Sequence, residues 1–317
     1  GGKQCEESSN VVQIDIEDPP ITGLQVSGGA VTAPATITIC SGESVTFNAT
    51  GGGTQFLFYK DNNPIGVRSG SSSLATSALI TGNRIKVESF NAAGCSSFSP
   101  EIVIQIVDNP IISLTSTAFA SSASSSTFCE GEAMTFTATS TSGISTYTFS
   151  IGGISQQVST SNVFTPSPAL SATVSVSVFA ETAAGCTATQ TLDMFLNEIT
   201  NPGTIGQVSA TVCSGEVPAA FTNNASATGI GEITYQWQAR TYGTAFANVL
   251  VSATTQVYTP TAGLTTTTFY RRLALSTYGG KQCEESSNVV QIDIEDPPIT
   301  GLQVSGGAVT APATITI

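Results

Sequence analysis

Along much of the chain, side chains suited to a buried face recur at every second position. Val174, Val176 and Val178 alternate with Ser175 and Ser177; Ile102, Ile104 and Ile106 alternate with Val103 and Gln105; Val12, Ile14 and Ile16 alternate with Gln13 and Asp15. A period of two carried by β-branched residues predicts half-buried strands. Further strands are expected over Val45-Thr46-Phe47-Asn48-Ala49 and Met134-Thr135-Phe136-Thr137-Ala138, and aromatic-bearing strands over 55–59, 146–151 and 233–238. Turn signals separate them, among them Asp61-Asn62-Asn63-Pro64 and Gly152-Gly153. No helical period is sustained. Seven or so short strands in each stretch of roughly 92 residues, with frequent turns, describe an all-β chain of tandem immunoglobulin-like β-sandwich modules.

The module boundaries are written in prolines. Asp18-Pro19, Asn109-Pro110, Asn201-Pro202 and Asp296-Pro297 are spaced 91, 92 and 95 residues apart. Proline suits a junction because it fixes φ and cannot donate to a sheet ladder. Modules are therefore expected at 19–108, 109–201 and 202–296, flanked by 1–18 and 297–317.

A second repeat overlies the first. Residues 1–39 recur without a substitution as residues 279–317, an offset of 278 residues. Identity over such a length reads as a tandem array of a three-module unit. On that reading 1–18 is the last hairpin arm and final strand of a preceding third-type module, and 297–317 begins the next first-type module. A lone strand leaves its backbone groups and apolar face unpaired. The stretch 11–16 is thus expected to be completed by continuing chain or a neighbouring copy; lying free in solvent, it would count against the array.

Each module carries two cysteines in matched settings. The first stands in Cys40-Ser41-Gly42-Glu43, Cys129-Glu130-Gly131-Glu132 and Cys213-Ser214-Gly215-Glu216; the second follows Ala92-Ala93-Gly94 as Cys95, Ala183-Ala184-Gly185 as Cys186, and Gly279-Gly280-Lys281-Gln282 as Cys283. This frame leads to the expectation of one disulfide per module: Cys40 with Cys95, Cys129 with Cys186, Cys213 with Cys283. Each would pin one end of its sandwich and contribute about 4 kcal/mol by closing a loop. Cys5, the copy of Cys283, is left without a partner in the chain. Disulfides in this number point to an oxidising, extracellular setting.

Composition narrows the function. Charged residues make up 10% of the chain and the net charge is −13, which argues against nucleic acid or an anionic membrane as partner. No stretch is long and apolar enough to span a membrane. No leader is visible, although the array reading begins the chain in mid-repeat. There is no histidine, so the common nucleophile–base systems and histidine-ligated metals are absent. Carboxylate-only catalysis would have to use Glu6-Glu7, Glu17-Asp18 or Glu130 with Glu132, none set in a sugar-binding context. We expect no enzyme activity, no catalytic residue, no metal and no cofactor.

The glutamates Glu43, Glu132 and Glu216 recur in every module. They read as turn-capping residues or as calcium ligands, and the lack of an Asp-rich calcium loop favours the turn. Tyr235, Trp237, Tyr242 and Tyr278 could stack on a glycan, but Tyr235 and Trp237 share a strand face and suit a core. Arg271-Arg272 are expected to be surface or edge charges that discourage sheet-to-sheet pairing. Residues 114–127 read as a first strand with a loose loop. Asn48-Ala49-Thr50 and Asn224-Ala225-Ser226 match the N-glycosylation acceptor.

The third module carries Tyr235-Gln236-Trp237-Gln238, Tyr258-Thr259-Pro260, then Leu264 to Arg272, Cys283 and Ser287-Asn288-Val289-Val290. These runs resemble the Ig-like or PKD-like modules of giant cell-surface adhesin and fibre proteins in Bacteroidota (flavobacterial proteins among them). The first two modules resemble looser members through C-x-G-E and A-A-G-C. The resemblance implies export by the type IX system, a cell-surface location and no catalytic residues. The leading expectation is a structural or adhesive repeat segment of a surface fibre. Its partners would be further copies of the repeat, bundled into a filament, and surface glycans. A polysaccharide-binding array accessory to a secreted enzyme is the alternative. A third reading assembles chains non-covalently by strand addition through 11–16.

Overall fold

The computed structural model of the chain describes residues 13–27, 31–122, 125–249 and 254–296. Every regular element among them is a strand, and the strands form three β-sandwiches in succession. In the first, a sheet of Thr22–Val26, Val45–Gly51 and Ser73–Thr76 covers a sheet ordered Ala35–Cys40, Ile102–Val107, Arg84–Phe90, Gln55–Lys60, Asn63–Ser69. Leu24 and Phe47 from one sheet share a core with Phe56, Phe58, Ile85, Val87, Ile102 and Ile104 from the other. The second sandwich repeats the plan around Phe128, Phe136, Phe149, Val176, Val178 and Met194. The third does so around Ile205, Phe221, Trp237, Tyr270 and Ile292. The valine and isoleucine alternations over 174–178 and 102–104 are the inward faces of Val174–Glu181 and Ile102–Val107.

Local chemistry sets the turns. Asp61 and Asn62 take left-handed φ values of 51° and 64° between Gln55–Lys60 and Asn63–Ser69, the geometry of a tight hairpin that Asn and Asp tolerate. Gly152 and Gly153 do the same at 55° and 80°. Met134 is buried in the second core although its strand begins only at Phe136.

In each sandwich the strand that ends in the first cysteine runs parallel to the final strand. Cys40 lies opposite Val107, Cys129 opposite Asn197 and Cys213 opposite Glu295. Each first cysteine therefore sits at the pole where the chain leaves its sandwich. The second cysteines sit at the other pole. Cys186 immediately precedes Thr187–Asn197, an 11-residue strand whose last residue is the partner of Cys129. At ~3.3 Å per residue, Cys129 and Cys186 are roughly 33 Å apart along that strand.

That register overturns the expected pairing. A disulfide needs Cα atoms within about 7 Å, so the two cysteines of one module cannot meet. The structure joins Cys40 to Cys186 and Cys129 to Cys283, bonding the exit pole of one sandwich to the entry pole of the next. Cys95 and Cys213 are free thiols, and Cys5 lies outside the described residues.

Two further expectations change. Arg272 is no edge charge: it is fully buried in the central strand Thr268–Tyr278. The stretch 13–16 forms no strand, and Ile14 and Ile16 are 82% and 90% exposed. Val11 and Val12 lie outside the described residues. The copy of this stretch behaves differently: Val290–Glu295 is a strand paired with Thr211–Cys213 and Thr268–Tyr278, and Ile292, the copy of Ile14, is buried. Those two partner strands precede it in sequence, and residues 13–16 have no counterpart of them on their N-terminal side in this chain.

Candidate functional site

The candidate site is the junction between sandwiches. It starts from the C-x-G-E run. Gly42, Gly131 and Gly215 adopt φ of 78°, 72° and 86°, open to glycine and costly for other residues. The turn brings each glutamate back onto its own cysteine. The Cys40 N–H donates to Glu43 Oε2 at 2.9 Å, that of Cys129 to Glu132 Oε2 at 3.0 Å and that of Cys213 to Glu216 Oε2 at 3.2 Å. Each glutamate N–H donates in turn to the cysteine carbonyl. The glutamates are turn caps that hold the exit-pole cysteines in place. Among the described residues no group of three or more acidic or cysteine side chains is arranged to hold a metal ion.

Two of the entry-pole cysteines, Cys95 and Cys186, sit in a second recurring turn. The Asn91 N–H donates to the Cys95 carbonyl and the Gly94 N–H to that of Asn91; Thr182, Cys186 and Gly185 repeat this arrangement. The side chain of the leading residue then braces the cysteine: the Cys95 N–H donates to Asn91 Oδ1 and the Cys186 N–H to Thr182 Oγ1.

At the junction of the first and second sandwiches, Cys186 Sγ lies 3.9 Å from the Val107 carbonyl oxygen, and Asn109 Nδ2 donates to the Ser41 carbonyl across the linker. The junction of the second and third is richer. Buried Asn197 donates through Nδ2 to the carbonyls of Ser276 and Lys281, and accepts from Ser276 Oγ at 2.6 Å. Lys281 Nζ pairs with Glu132 Oε1 at 2.8 Å. Gly279 approaches Thr127 so closely that a Cβ there would sit 2.3 Å from Thr127 Oγ1. A side chain here would crowd Thr127 of the neighbouring module, and the positive φ of the turn favours glycine as well.

The other candidates scatter. Glu17 accepts from Asn91 Nδ2, Glu130 is exposed, and Glu132 is held in its turn and ion pair. Glu6 and Glu7 lie outside the described residues. Tyr235 and Trp237 are buried, with Trp237 Nε1 donating to the Thr255 carbonyl; Tyr242 and Tyr278 remain exposed. The four aromatics thus form no common platform. Of the glycosylation acceptors, Asn224 is exposed, whereas Asn48 hydrogen-bonds Ser27 and Ser73 within the first sheet.

Arg272, expected at an edge, is instead held inside the third sandwich. Its Nη1 donates to Asn223 Oδ1 and the Gln256 carbonyl, both at 2.7 Å, its Nη2 to the Ala225 carbonyl, and its guanidinium lies 4.4 Å from the Tyr235 ring centre. Burial lowers its pKa, and these acceptors and the ring stabilise the cation there. It is a structural tie across the third sandwich.

Residues 201–296, which span the third sandwich, match a family described as a domain of unknown function (DUF8696). No curated protein matches the chain. Among solved structures, the chain is similar to the three N-terminal domains of the highly immunogenic outer capsid protein of bacteriophage RB49, at 13% identity and a TM-score of 0.38, covering 88% of this chain and 99% of that one. It is similar to the fibronectin(III)-like modules of Clostridium thermocellum CbhA, at 17% identity and a TM-score of 0.36, covering 55% and 94%. It is also similar to part of a 1.5-MDa bacterial ice-binding adhesin, at 10% identity and a TM-score of 0.31, covering 89% and 100%. At these scores none of the three bears on what the chain does. What the chain itself displays is a succession of immunoglobulin-like sandwiches bonded pole to pole.

Proposed function

We propose that the chain is a structural or adhesive segment of an extracellular surface fibre built from tandem copies of the 278-residue unit. The observation that carries this reading is the placement of the two disulfides between modules, Cys40 to Cys186 and Cys129 to Cys283. A bond at that place adds nothing to any single core. It fixes one module on the next and resists bending and extension at the linker. The exact recurrence of residues 1–39 supports continuation of the pattern beyond one unit. With strands of up to 11 residues, each module is about 33 Å long and a unit roughly 100 Å, so a few units project a tip far from a surface. The reading is non-catalytic, and the disulfides suit an oxidising compartment. The likeness of the third module to giant Bacteroidota surface proteins supports export by the type IX route. Electron micrographs of the native protein test the proposal: the expectation is thin, beaded fibres many modules long, and short globular particles would refute it.

A further inference from the structure

Among the described residues two cysteines are free thiols, Cys95 at the entry pole of the first sandwich and Cys213 at the exit pole of the third. Both stand in the same local geometry as the cysteines that are bonded. Cys213 lies opposite Glu295, and the Ser214 N–H donates to the Glu295 carbonyl; Cys40 lies opposite Val107, and the Ser41 N–H donates to the Val107 carbonyl. At the entry pole, Cys95 Sγ lies 3.6 Å from the carbonyl oxygen of Glu17, as Cys186 Sγ lies 3.9 Å from that of Val107. Glu17 and Glu295 are the same residue of the repeat, 278 positions apart. One carbonyl thus marks both halves of a junction that the chain contains only in separate pieces. Glu17 shows where Cys95 sits relative to it, and Glu295 shows where Cys213 sits. In the complete pair, Cys40 and Cys186 flank Val107 in just this way and are bonded.

We infer that Cys213 of one repeat forms a disulfide with Cys95 of the following repeat. The inference rests on the tandem-array reading and deepens it. Every junction in the fibre then carries one pole-to-pole disulfide, with no break at the repeat boundary. The two thiols lose two protons and two electrons as the S–S bond forms. The electrons pass by thiol–disulfide exchange to a disulfide oxidant, whose own S–S bond is reduced to two thiols. The recurring glutamate turn at Cys213 and the Asn91 brace at Cys95 hold the two sulfurs for this step.

The test uses the chain preceded by one further copy of residues 1–278, purified oxidised, alkylated without reduction and cleaved after glutamate. Cleavage at these sites places Cys95 in peptide 89–101 and Cys213 in peptide 199–216, apart from all other cysteines. The expected product is 89–101 linked to 199–216, in an amount equal to the alkylated forms of each, since the outermost Cys95 and Cys213 have no neighbour. Changing only the second-copy Cys95→Ser should abolish the linked peptide and leave the Cys40–Cys186 linkage intact. Recovery of both peptides wholly alkylated, or of 89–101 linked to the peptide carrying Cys40, would overturn the inference. Either result leaves the array reading standing, because that reading is decided separately by the mass of the native polypeptide.

Discussion

Tyr270 sits at the centre of the third sandwich's aromatic cluster, 4.7 Å from Phe221 and 6.3 Å from Tyr258 between ring centres. Burial, with a smaller contribution from Tyr258, raises its pKa from 10.0 to about 12. The folded value lies above the unfolded one, so the unfolded chain releases the proton first. The stability this phenol contributes is complete below pH 10 and is lost as pH climbs toward 12, by about 2–3 kcal/mol. Trp237 is the single tryptophan in the chain, so its fluorescence during urea unfolding reports the third sandwich alone. We expect Tyr270→Phe to flatten the decline in its midpoint between pH 10 and 12; an unchanged slope would assign the loss elsewhere. Arg272 lies where the strand alternation places it rather than where its charge suggests. In a strand of period two it shares a face with Tyr270 and Ala274, both buried. The charge suggested an edge, while its position in the alternation already placed it in the core. The glutamate turns were legible because all their parts lie within four residues.

At the scale of elements, identical sequence adopts two fates. Val290–Glu295 is a paired strand with Ile292 buried, while its copy around Ile14 is exposed and outside any strand. The alternating pattern predicts a strand in both places and is right only where partner strands are present. Pairing, not propensity, decides, since a strand gains its stability from cross-strand contacts and a covered face. By itself the exposure of Ile14 and Ile16 goes against the expectation that this stretch is completed. The array reading gives it a definite test. Adding the preceding copy of residues 1–278 should bring amide hydrogen exchange over 13–16 of the second copy to the slow rate of 291–294. Continued fast exchange there would mean that the preceding module does not complete the strand.

For the whole molecule, the decisive fact is which pole each cysteine occupies. Their matched sequence settings reveal that the modules are related copies, but a set of copies is equally compatible with bonds inside modules and bonds between neighbours. Only the register, with Cys129 opposite one end of Thr187–Asn197 and Cys186 at the other, separates the two. The bonds observed close segments of 146 and 154 residues. Chain entropy alone makes each stabilising by about 5 kcal/mol when both modules unfold together, so neighbouring sandwiches are coupled as units of a linear array. The two junctions differ in their remaining ties among the described residues: the second has Asn197 buried against Ser276 and the Lys281–Glu132 pair, and the first has the hydrogen bond from Asn109 to Ser41. The expected pattern is the recurrence of such junctions along one long polypeptide. Its most direct test is the intact mass of the native protein after full reduction. A single polypeptide whose mass is several times that of the 278-residue unit is expected. A reduced mass close to one unit would contradict it.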